Sequence, residues 1–312
     1  MRITSGELLK NLRKKQGLNQ EDFAEEIGIS TRQLSRMETN KVDISVSEFL
    51  SIMNKFNVKI EDLKLLYMDS KDYKWFLHYE DARNHFARVE YDAFHETMKK
   101  MAGSPFWEDP HLQQFIAFVK MSEAVALKGV EMDEIYEVED VETLYNMISM
   151  TIKDFKEEKI SDYLLTYHEL YILVRYSEAL SHVGEYERAI KVAKALLNNK
   201  TTKAASRREN DYLHFAVAAS LTDVYRNAKM YTEALDNAME LFRLCIRRNL
   251  LHNMDFLNGR IAWIFKELKE EKAMYLCYFY RAYYWAVLLQ DDHAIAFYRR
   301  QAKEVFQVEL DQ

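Results

Sequence analysis

The sequence predicts an all-α protein, on the basis of its low turn content, its helix-cap signals and a repeated helical pattern. Only 7 Gly and 2 Pro occur in 312 residues, which leaves few residues for the tight turns of an all-β fold. Apolar residues make up 48% and charged residues 30%, as expected for a packed, water-soluble protein. We expect a head over residues 1–66, a linker over residues 67–73 and a body over residues 74–312.

Five short helices are predicted in the head from residues that start or stop helices. Gly17 and Gly28 are expected to end the first two helices, and the third is expected to reach about Thr39. An apolar run at Ile60, Leu63 and Leu66 marks the fifth helix. The expected N-caps of the first four helices are Ser5, Asn19, Ser30, and either Ser45 or Ser47.

The stretch EDFAEEIGISTRQLSRME, residues 21–38, has the length and apolar spacing of a helix-turn-helix. The apolar residues expected to pack between its two helices are Phe23, Ala24, Ile27, Ile29, Leu34 and Met37. Arg side chains can donate to guanine O6 and N7, and Gln can pair with adenine. The polar residues expected to face outward on the second helix are Thr31, Arg32, Gln33, Ser35 and Arg36.

The stretch from Leu12 to Leu63 resembles the helix-turn-helix domain of the lambda-repressor and Cro type in every helix. The motifs that carry the resemblance are Leu12-Arg13, Gly17-Leu18-x-Gln20, Phe23-Ala24, Gly28-Ile29-Ser30, Leu34-Ser35 and Glu38. The resemblance implies that Gln20 caps the second helix and contacts phosphate, and that Arg13 pairs with Glu38. It also implies that Thr31, Arg32, Gln33 and Arg36 enter the major groove, and we add Ser30 and Lys41 as candidate DNA contacts.

One residue of the head departs from the family pattern. Asn40 stands where the family often has Gly. Asn tolerates the left-handed backbone conformation better than most residues, so we expect the turn after the third helix to be kept.

The body contains a recurring pattern, in which an aromatic residue follows a turn and an apolar helix continues. It occurs at residues 184–197, 229–242 and 269–279, with a weaker copy from Arg88. Aligned on Ala189, Ala234 and Ala273, the copies lie 45 and 39 residues apart, longer than the roughly 34 of a regular tetratricopeptide repeat. We predict a right-handed solenoid of degenerate tetratricopeptide-like helix hairpins.

Two further segments of the body complete this prediction. The stretch AGSPFWEDP, residues 102–110, contains both prolines and is expected to separate two hairpins. The last amphipathic segment, DDHAIAFYRRQAKEVFQVEL, is expected either to cap the solenoid or to contribute to a dimer interface. The sequence does not distinguish these two roles.

A helix-turn-helix head followed by such hairpins is similar to the peptide-pheromone-responsive regulators of Gram-positive bacteria. This is the RRNPP group, which includes Rgg-like and PlcR-like proteins, and residues 108–129 resemble a PlcR-type segment. The resemblance implies that the concave face of the body binds a short signalling peptide. The side chains projected onto that face are Tyr79, Arg83, Tyr171, Glu178, His182, Asp223, Arg226, Asn227, Asp255, Asn258 and Lys266.

The sequence lacks the common motifs for catalysis, cofactor binding and membrane insertion. No GxGxxG, GxxxxGK[ST] or HExxH motif occurs, and Cys245 and Cys277 have no CxxC partner. We therefore predict no cofactor, no metal and no enzymatic activity. The N-terminus lacks the apolar core of a signal peptide, and no run of about 18 apolar residues occurs. We therefore expect a cytoplasmic protein without a membrane partner.

The net charge of −7 argues against a protein that coats DNA. Residues 1–66 carry 11 Lys or Arg and 10 Asp or Glu, so the acidity lies in the body. The hypothesis is a quorum-sensing-type transcriptional regulator that binds an inverted-repeat operator as a homodimer and is modulated by a short peptide. The alternatives are a DNA-binding repressor without a peptide ligand, such as a phage-type repressor or an antitoxin, and a repeat scaffold that sequesters a partner protein.

Overall fold

The computed structural model describes residues 4–56, 73–127, 136–205 and 211–310. All regular elements in these ranges are helices, which confirms the all-α prediction. The chain divides into two compact units, Met1–Gln113 and Gln114–Gln312. The predicted fifth helix of the head and the predicted linker, apart from Tyr73, lie outside the described residues.

Four helices form the described part of the head: α1 (Ser5–Lys15), α2 (Gln20–Ile27), α3 (Thr31–Glu38) and α4 (Val46–Lys55). The predicted caps Asn19, Ser30 and Ser45 are confirmed, because each side chain accepts a backbone hydrogen bond from the first turn of its helix. The prediction for α1 was wrong by one residue. Its N-cap is Thr4, which forms a capping box with Glu7.

The head packs around one apolar cluster, as predicted. Leu9 and Leu12 of α1 meet Phe23 and Ala24 of α2 and the inner face of α3. Gly28 ends α2 in the left-handed conformation, with φ of 77°, so the chain turns sharply into α3. This core fixes which face of α3 is buried and which is exposed.

Two helices follow in the first unit and a third crosses into the second: α5 (Tyr73–Ala87), α6 (Tyr91–Met101) and α7 (Pro110–Leu127). Helices α5 and α6 form the predicted weak first hairpin. Of the two prolines, Pro105 lies in the loop between α6 and α7, and Pro110 is the first residue of α7.

The second unit contains α8 (Val138–Ser149) and three hairpins, with a short helix before the second of them. The hairpins are α9 (Tyr167–His182) with α10 (Tyr186–Asn198), α12 (Asp211–Asn227) with α13 (Tyr231–Arg248), and α14 (Met254–Glu267) with α15 (Lys272–Leu289). The short helix is α11 (Lys200–Ala205). Gly184, Lys229 and Lys269, the turn residues of the three hairpins, have φ of 88°, 58° and 59°.

These turn residues correct the repeat alignment made from sequence. They lie 45 and 40 residues apart. Ala189 and Ala234 each lie five residues after their turn residue, whereas Ala273 lies four residues after Lys269 and is therefore not equivalent to them. The alignment on Ala273 displaced the last repeat by one position. One position is about 100° around a helix, which changes the face that is read as inward.

The terminal segment packs against the last hairpin. Helix α16 (Asp292–Gln301) continues into a π-helical turn at Ala302–Phe306. Phe306 stacks on Phe279 of α15, with ring centroids 4.2 Å apart, and Tyr298 is 5% exposed. The capping role is therefore confirmed, and a role in dimerisation stays a prediction. No helix among the described residues is long and apolar enough to cross a membrane.

Candidate DNA-contact surface and ligand cavities

Helix α3 presents a polar face opposite its buried face. Leu34, Met37 and Glu38 are buried, whereas Thr31, Arg32, Gln33 and Arg36 are exposed and Ser35 is partly exposed. Within the described part of the chain, the side chains of Arg32, Gln33 and Arg36 form no hydrogen bond or ion pair. Their donors and acceptors are therefore available to base edges or phosphates.

A buried ion pair holds α3 against α1. The Arg13 Nε donates to Glu38 Oε1 at 2.6 Å, and an Nη of Arg13 donates to Glu38 Oε2 at 3.0 Å. Gln20 Nε2 also donates to Glu38 Oε2, at 2.7 Å. Burial alone would raise the pKa of Glu38, but the hydrogen bonds from Arg13 and Gln20 outweigh it, so the pKa is lowered. The implied pair of Arg13 and Glu38 is present.

The structure changes the roles expected for Gln20 and Ser30. The cap of α2 is Asn19, whose Oδ1 accepts from the Asp22 N–H at 2.9 Å, so Gln20 does not cap that helix. One N–H of the Gln20 amide donates to Glu38, and the second N–H of the same group can still donate to a phosphate. Ser30 Oγ accepts from the Gln33 N–H at 3.2 Å, which leaves its hydroxyl hydrogen free to donate.

The turn after α3 adopts the conformation expected from Asn40. Its φ is 56°, in the left-handed region, and its N–H donates to the Met37 carbonyl at 3.0 Å. Lys41 follows with an exposed side chain. The DNA contacts of Gln20, Ser30, Lys41 and the exposed face of α3 stay predictions.

The second unit contains two adjoining cavities. The first, which we call the aromatic cavity, has a volume of about 380 Å³. Its aromatic walls come from Tyr136, Phe256, Trp263, Phe279, Phe297, Tyr298 and Phe306. The second, which we call the polar groove, has a volume of about 540 Å³. The four residues that line both are His182, Arg226, Trp263 and Gln301.

Most charges of the aromatic cavity are paired within the protein. Arg175 donates to Glu178 at 2.8 Å, and the Arg260 Nε donates to Asp223 at 2.9 Å. Burial lowers the pKa of Arg260, although the Asp223 carboxylate opposes this shift. Burial also raises the pKa of Asp255, against backbone hydrogen bonds at the start of α14.

Equivalent positions of the three hairpins form two rows along these cavities. Glu178, Asp223 and Trp263 form the first row on the aromatic cavity. His182, Asn227 and Glu267 form the second row on the polar groove. The sequence projection included the first two members of each row and did not include Trp263 or Glu267.

The structure also locates the other projected residues. Arg226 lines both cavities and Asp255 lines the aromatic cavity. Asn258 is 1% exposed and donates to the Met254 carbonyl, so it is not among the lining residues. Lys266 lies 6.0 Å from the centre of the Trp263 ring, and Tyr171 is half-buried. Neither of them is among the residues that line the aromatic cavity or the polar groove.

Two projected residues belong to the first unit. Burial raises the pKa of Tyr79. Arg83 forms an exposed ion pair with Glu80 at 3.1 Å. Ligand contact by any projected residue stays a prediction.

Residues that sequence reasoning missed include Arg175, Arg260 and the aromatic walls. Arg175 precedes Glu178 by three positions, a spacing at which helical side chains meet. This ion pair could therefore have been predicted from the sequence. The pair of Arg260 and Asp223 joins neighbouring hairpins, and no local pattern predicts it. No group of three His, Cys, Asp or Glu side chains that could hold a metal occurs in the described ranges.

Comparison with known proteins shows two likenesses of different extent. Residues 9–63 match the helix-turn-helix family. The described part of this range, residues 9–56, forms a helix-turn-helix domain. None of the curated proteins compared matches the chain.

Solved structures match almost the whole length. PlcR of Bacillus thuringiensis, solved with the peptide PapR7 and DNA, is 17% identical over 96% of this chain and 99% of its own, with a TM-score of 0.66. ComR of S. thermophilus, solved with DNA and its signalling peptide ComS, is 15% identical over 95% and 98%, with a TM-score of 0.55. The SHP pheromone receptor Rgg2 of Streptococcus dysgalactiae is 15% identical over 96% and 99%, with a TM-score of 0.54. The chain shares the fold of all three, which confirms the family resemblance at the level of the fold.

Proposed function

We propose that this protein is a cytoplasmic, non-catalytic transcription regulator. Its head binds operator DNA, and its body binds a short signalling peptide that changes the DNA affinity. The observation that carries the first half is the exposed face of α3, where Thr31, Arg32, Gln33 and Arg36 stand on a helix held by a capped N-terminus and a buried ion pair. The match of residues 9–63 to the helix-turn-helix family supports it.

In this proposal the protein binds DNA as a homodimer, so that two heads contact the operator together. One α3 helix reaches only a few base pairs, whereas a two-fold dimer presents two such helices about one DNA turn apart and reads an inverted repeat. The acidic body stays off the duplex because its charge has the same sign as the phosphates. PlcR and ComR, which have the same fold, were each solved in complex with DNA and a peptide.

The peptide half of the proposal is supported by the two cavities of the second unit. Their volumes of about 380 and 540 Å³ fall in the range of small-ligand pockets, roughly 300 to 1,000 Å³. Aromatic walls with a few polar groups suit the side chains and the backbone of a short peptide.

The DNA claim is tested with duplexes selected from a random library by the full chain. The double variant Arg32→Ala/Gln33→Ala removes the two long polar side chains near the N-terminus of α3 that are proposed to contact bases. Because a good bidentate base contact discriminates by about 1–3 kcal/mol, we expect a loss of at least tenfold in operator affinity and unchanged helicity. Arg243→Ala, an exposed arginine of α13, is the matched control and should bind as the wild type does.

The outcomes separate this proposal from its competitors. Affinity that falls steeply with salt and depends on sequence supports a DNA reader. An Arg32→Ala/Gln33→Ala variant that binds the selected duplex as well as the wild type contradicts the base-reading role. A protein that binds no duplex but retains one partner protein stoichiometrically would instead be a repeat scaffold.

A further inference from the structure

Arg226 is the guanidinium that lines both cavities, and no described residue pairs its charge. Arg300 also lines the polar groove, but its side chain is exposed. Arg226 lies at the end of α12 and is half-buried. In the described part of the chain its side chain forms no ion pair and no hydrogen bond. Arg175 and Arg260, by contrast, are engaged by Glu178 and Asp223.

No acidic side chain of either cavity forms an ion pair with Arg226 in the described ranges. In the polar groove, Glu267 accepts from the Tyr231 hydroxyl at 3.3 Å, and Glu304 is exposed. Glu178 and Asp223 are taken by the other two arginines, and Asp255 accepts hydrogen bonds from the backbone at the start of its own helix. Arg260 is close enough to Arg226 for the two like charges to interact unfavourably, so it increases the positive potential around Arg226. A half-buried, unpaired cation is costly unless an anion from outside completes it.

A second unpaired polar group stands at the same junction. Gln301 of α16 also lines both cavities and is 9% exposed. Its Oε1 is buried and has no hydrogen-bond partner among the residues that the structure describes. Buried polar atoms nearly always form hydrogen bonds in folded proteins. We therefore expect Gln301 Oε1 to accept a hydrogen bond from a donor other than the described residues.

The wall beside the junction is apolar. Trp263 lines both cavities, and Phe279, Phe297 and Phe306 continue into the aromatic cavity. A ligand held at Arg226 and Gln301 therefore has space for one large apolar side chain next to its polar group.

From these three features, and resting on the proposed function, we infer that the junction binds a peptide carboxylate. The carboxylate pairs with Arg226, a neighbouring peptide N–H donates to Gln301, and an adjacent aromatic or large aliphatic side chain enters the aromatic cavity. A guanidinium matches a carboxylate through two parallel hydrogen bonds. The carboxylate is supplied either by the C-terminus of the peptide or by an Asp or Glu side chain.

The test uses four pools of N-acetylated seven-residue peptides, each with one Phe or Trp at varied positions. One pool has a free C-terminal carboxylate and no Asp or Glu, and a second is the same pool with a C-terminal amide. The third and fourth are C-terminal amides that carry one internal Glu or one internal Gln. Binding is followed by fluorine NMR of the full chain labelled with 5-fluorotryptophan, with the Trp263 signal assigned from Trp263→Phe.

The pools identify the source of the carboxylate. If the free-acid pool shifts the Trp263 signal, the carboxylate that binds is the C-terminus of the peptide. If the Glu pool shifts the signal, the carboxylate is that of a side chain. The acid-free amide pools should bind at least tenfold more weakly than the better acid pool. Acid-free pools that bind equally well overturn the carboxylate subsite while leaving peptide binding intact. If no pool binds at a millimolar concentration, the peptide half of the proposed function fails, and the subsite fails with it.

Variants test Arg226 itself. Arg226→Gln should weaken binding of the preferred acid pool at least tenfold, and Arg226→Lys should recover part of the loss. Arg243→Gln, an exposed arginine away from both cavities, should have no effect. Because Arg226 has no partner to lose, Arg226→Gln should melt at the wild-type temperature or above. A destabilised Arg226→Gln, or one that binds acid peptides as the wild type does, contradicts the assignment.

Discussion

The contact between α1 and α3 depends on the absence of a side chain at Gly6. A Cβ at this position would overlap the Met37 carbonyl oxygen and stand 2.6 Å from Asn40 Oδ1. The first of these is a backbone atom of the helix pair and cannot rotate away. In Gly6→Ala, α1 therefore has to move back from α3, and the core that holds the DNA-contact face loosens.

The magnitude follows from three contributions. Overpacking a well-packed site costs about 1–3 kcal/mol, and the rigid backbone neighbour puts Gly6 at the upper end. A gap of 0.5–1 Å forfeits roughly a quarter to a half of each dispersion contact across it, here those of Leu9 and Leu12 with α3. The better helix propensity of Ala returns at most about 1 kcal/mol. We expect the head to be destabilised by about 3 kcal/mol.

Native-state hydrogen exchange measures this change in the head alone, which whole-chain melting of a two-unit protein does not. At about 1.4 kcal/mol per factor of ten, protection of the slowest amides of α1 and α3 should fall roughly a hundredfold in Gly6→Ala. Gly103→Ala is the matched control, since a Cβ there meets nothing within 4 Å. Equal protection in the two variants would refute the reasoning.

Two further predictions concern a titrating ion pair and a close helix contact. The lowered pKa of Glu38 means that its pair with Arg13 stabilises the head above the ordinary value of 4.5 and that this stabilisation is lost as the pH falls below it. Glu38→Gln should therefore lower the stability of the head by about 3 kcal/mol near neutral pH. In this variant, the protection of α3 amides against hydrogen exchange should decrease less on acidification than it does in the wild type. A decrease as steep as that of the wild type would contradict the stabilising role of the ion pair. Gly259→Ala would put a Cβ 2.7 Å from the Tyr298 hydroxyl and should cost about 1–3 kcal/mol in thermal unfolding. Because Tyr298→Phe removes the clashing oxygen, the double variant should lose less than the two single variants together, and strict additivity would count against the contact.

Local signals made the head predictable. Asn19, Ser30, Gly28 and Asn40 act within a few residues of their own position, so cap and turn chemistry reads directly from the sequence. The exposed and buried faces of α3 then follow from helical periodicity. The pair of Arg13 and Glu38 spans 25 residues and was inferred only through the resemblance to a known domain.

The body was predictable in architecture and less so in register. Hairpin turns at Lys229 and Lys269 adopt the left-handed conformation without Gly or Asn, and nothing local marks them. The nearest small residue, Ala273, therefore gave the wrong phase for α14. The aromatic cavity also depends on α16 and its π-helical turn folding back on the last hairpin, a long-range event that sequence periodicity does not encode.

The central claim is that ligand binding in the body changes DNA binding by the head. The measurement is the affinity of the full chain for its selected operator, at fixed salt, with and without a saturating peptide from the preferred pool. Coupling between two sites is typically 1–3 kcal/mol and reciprocal, so we predict a change of at least about fivefold in operator affinity and the same factor in peptide affinity when operator is added. An operator affinity that the saturating peptide leaves unchanged would contradict the account.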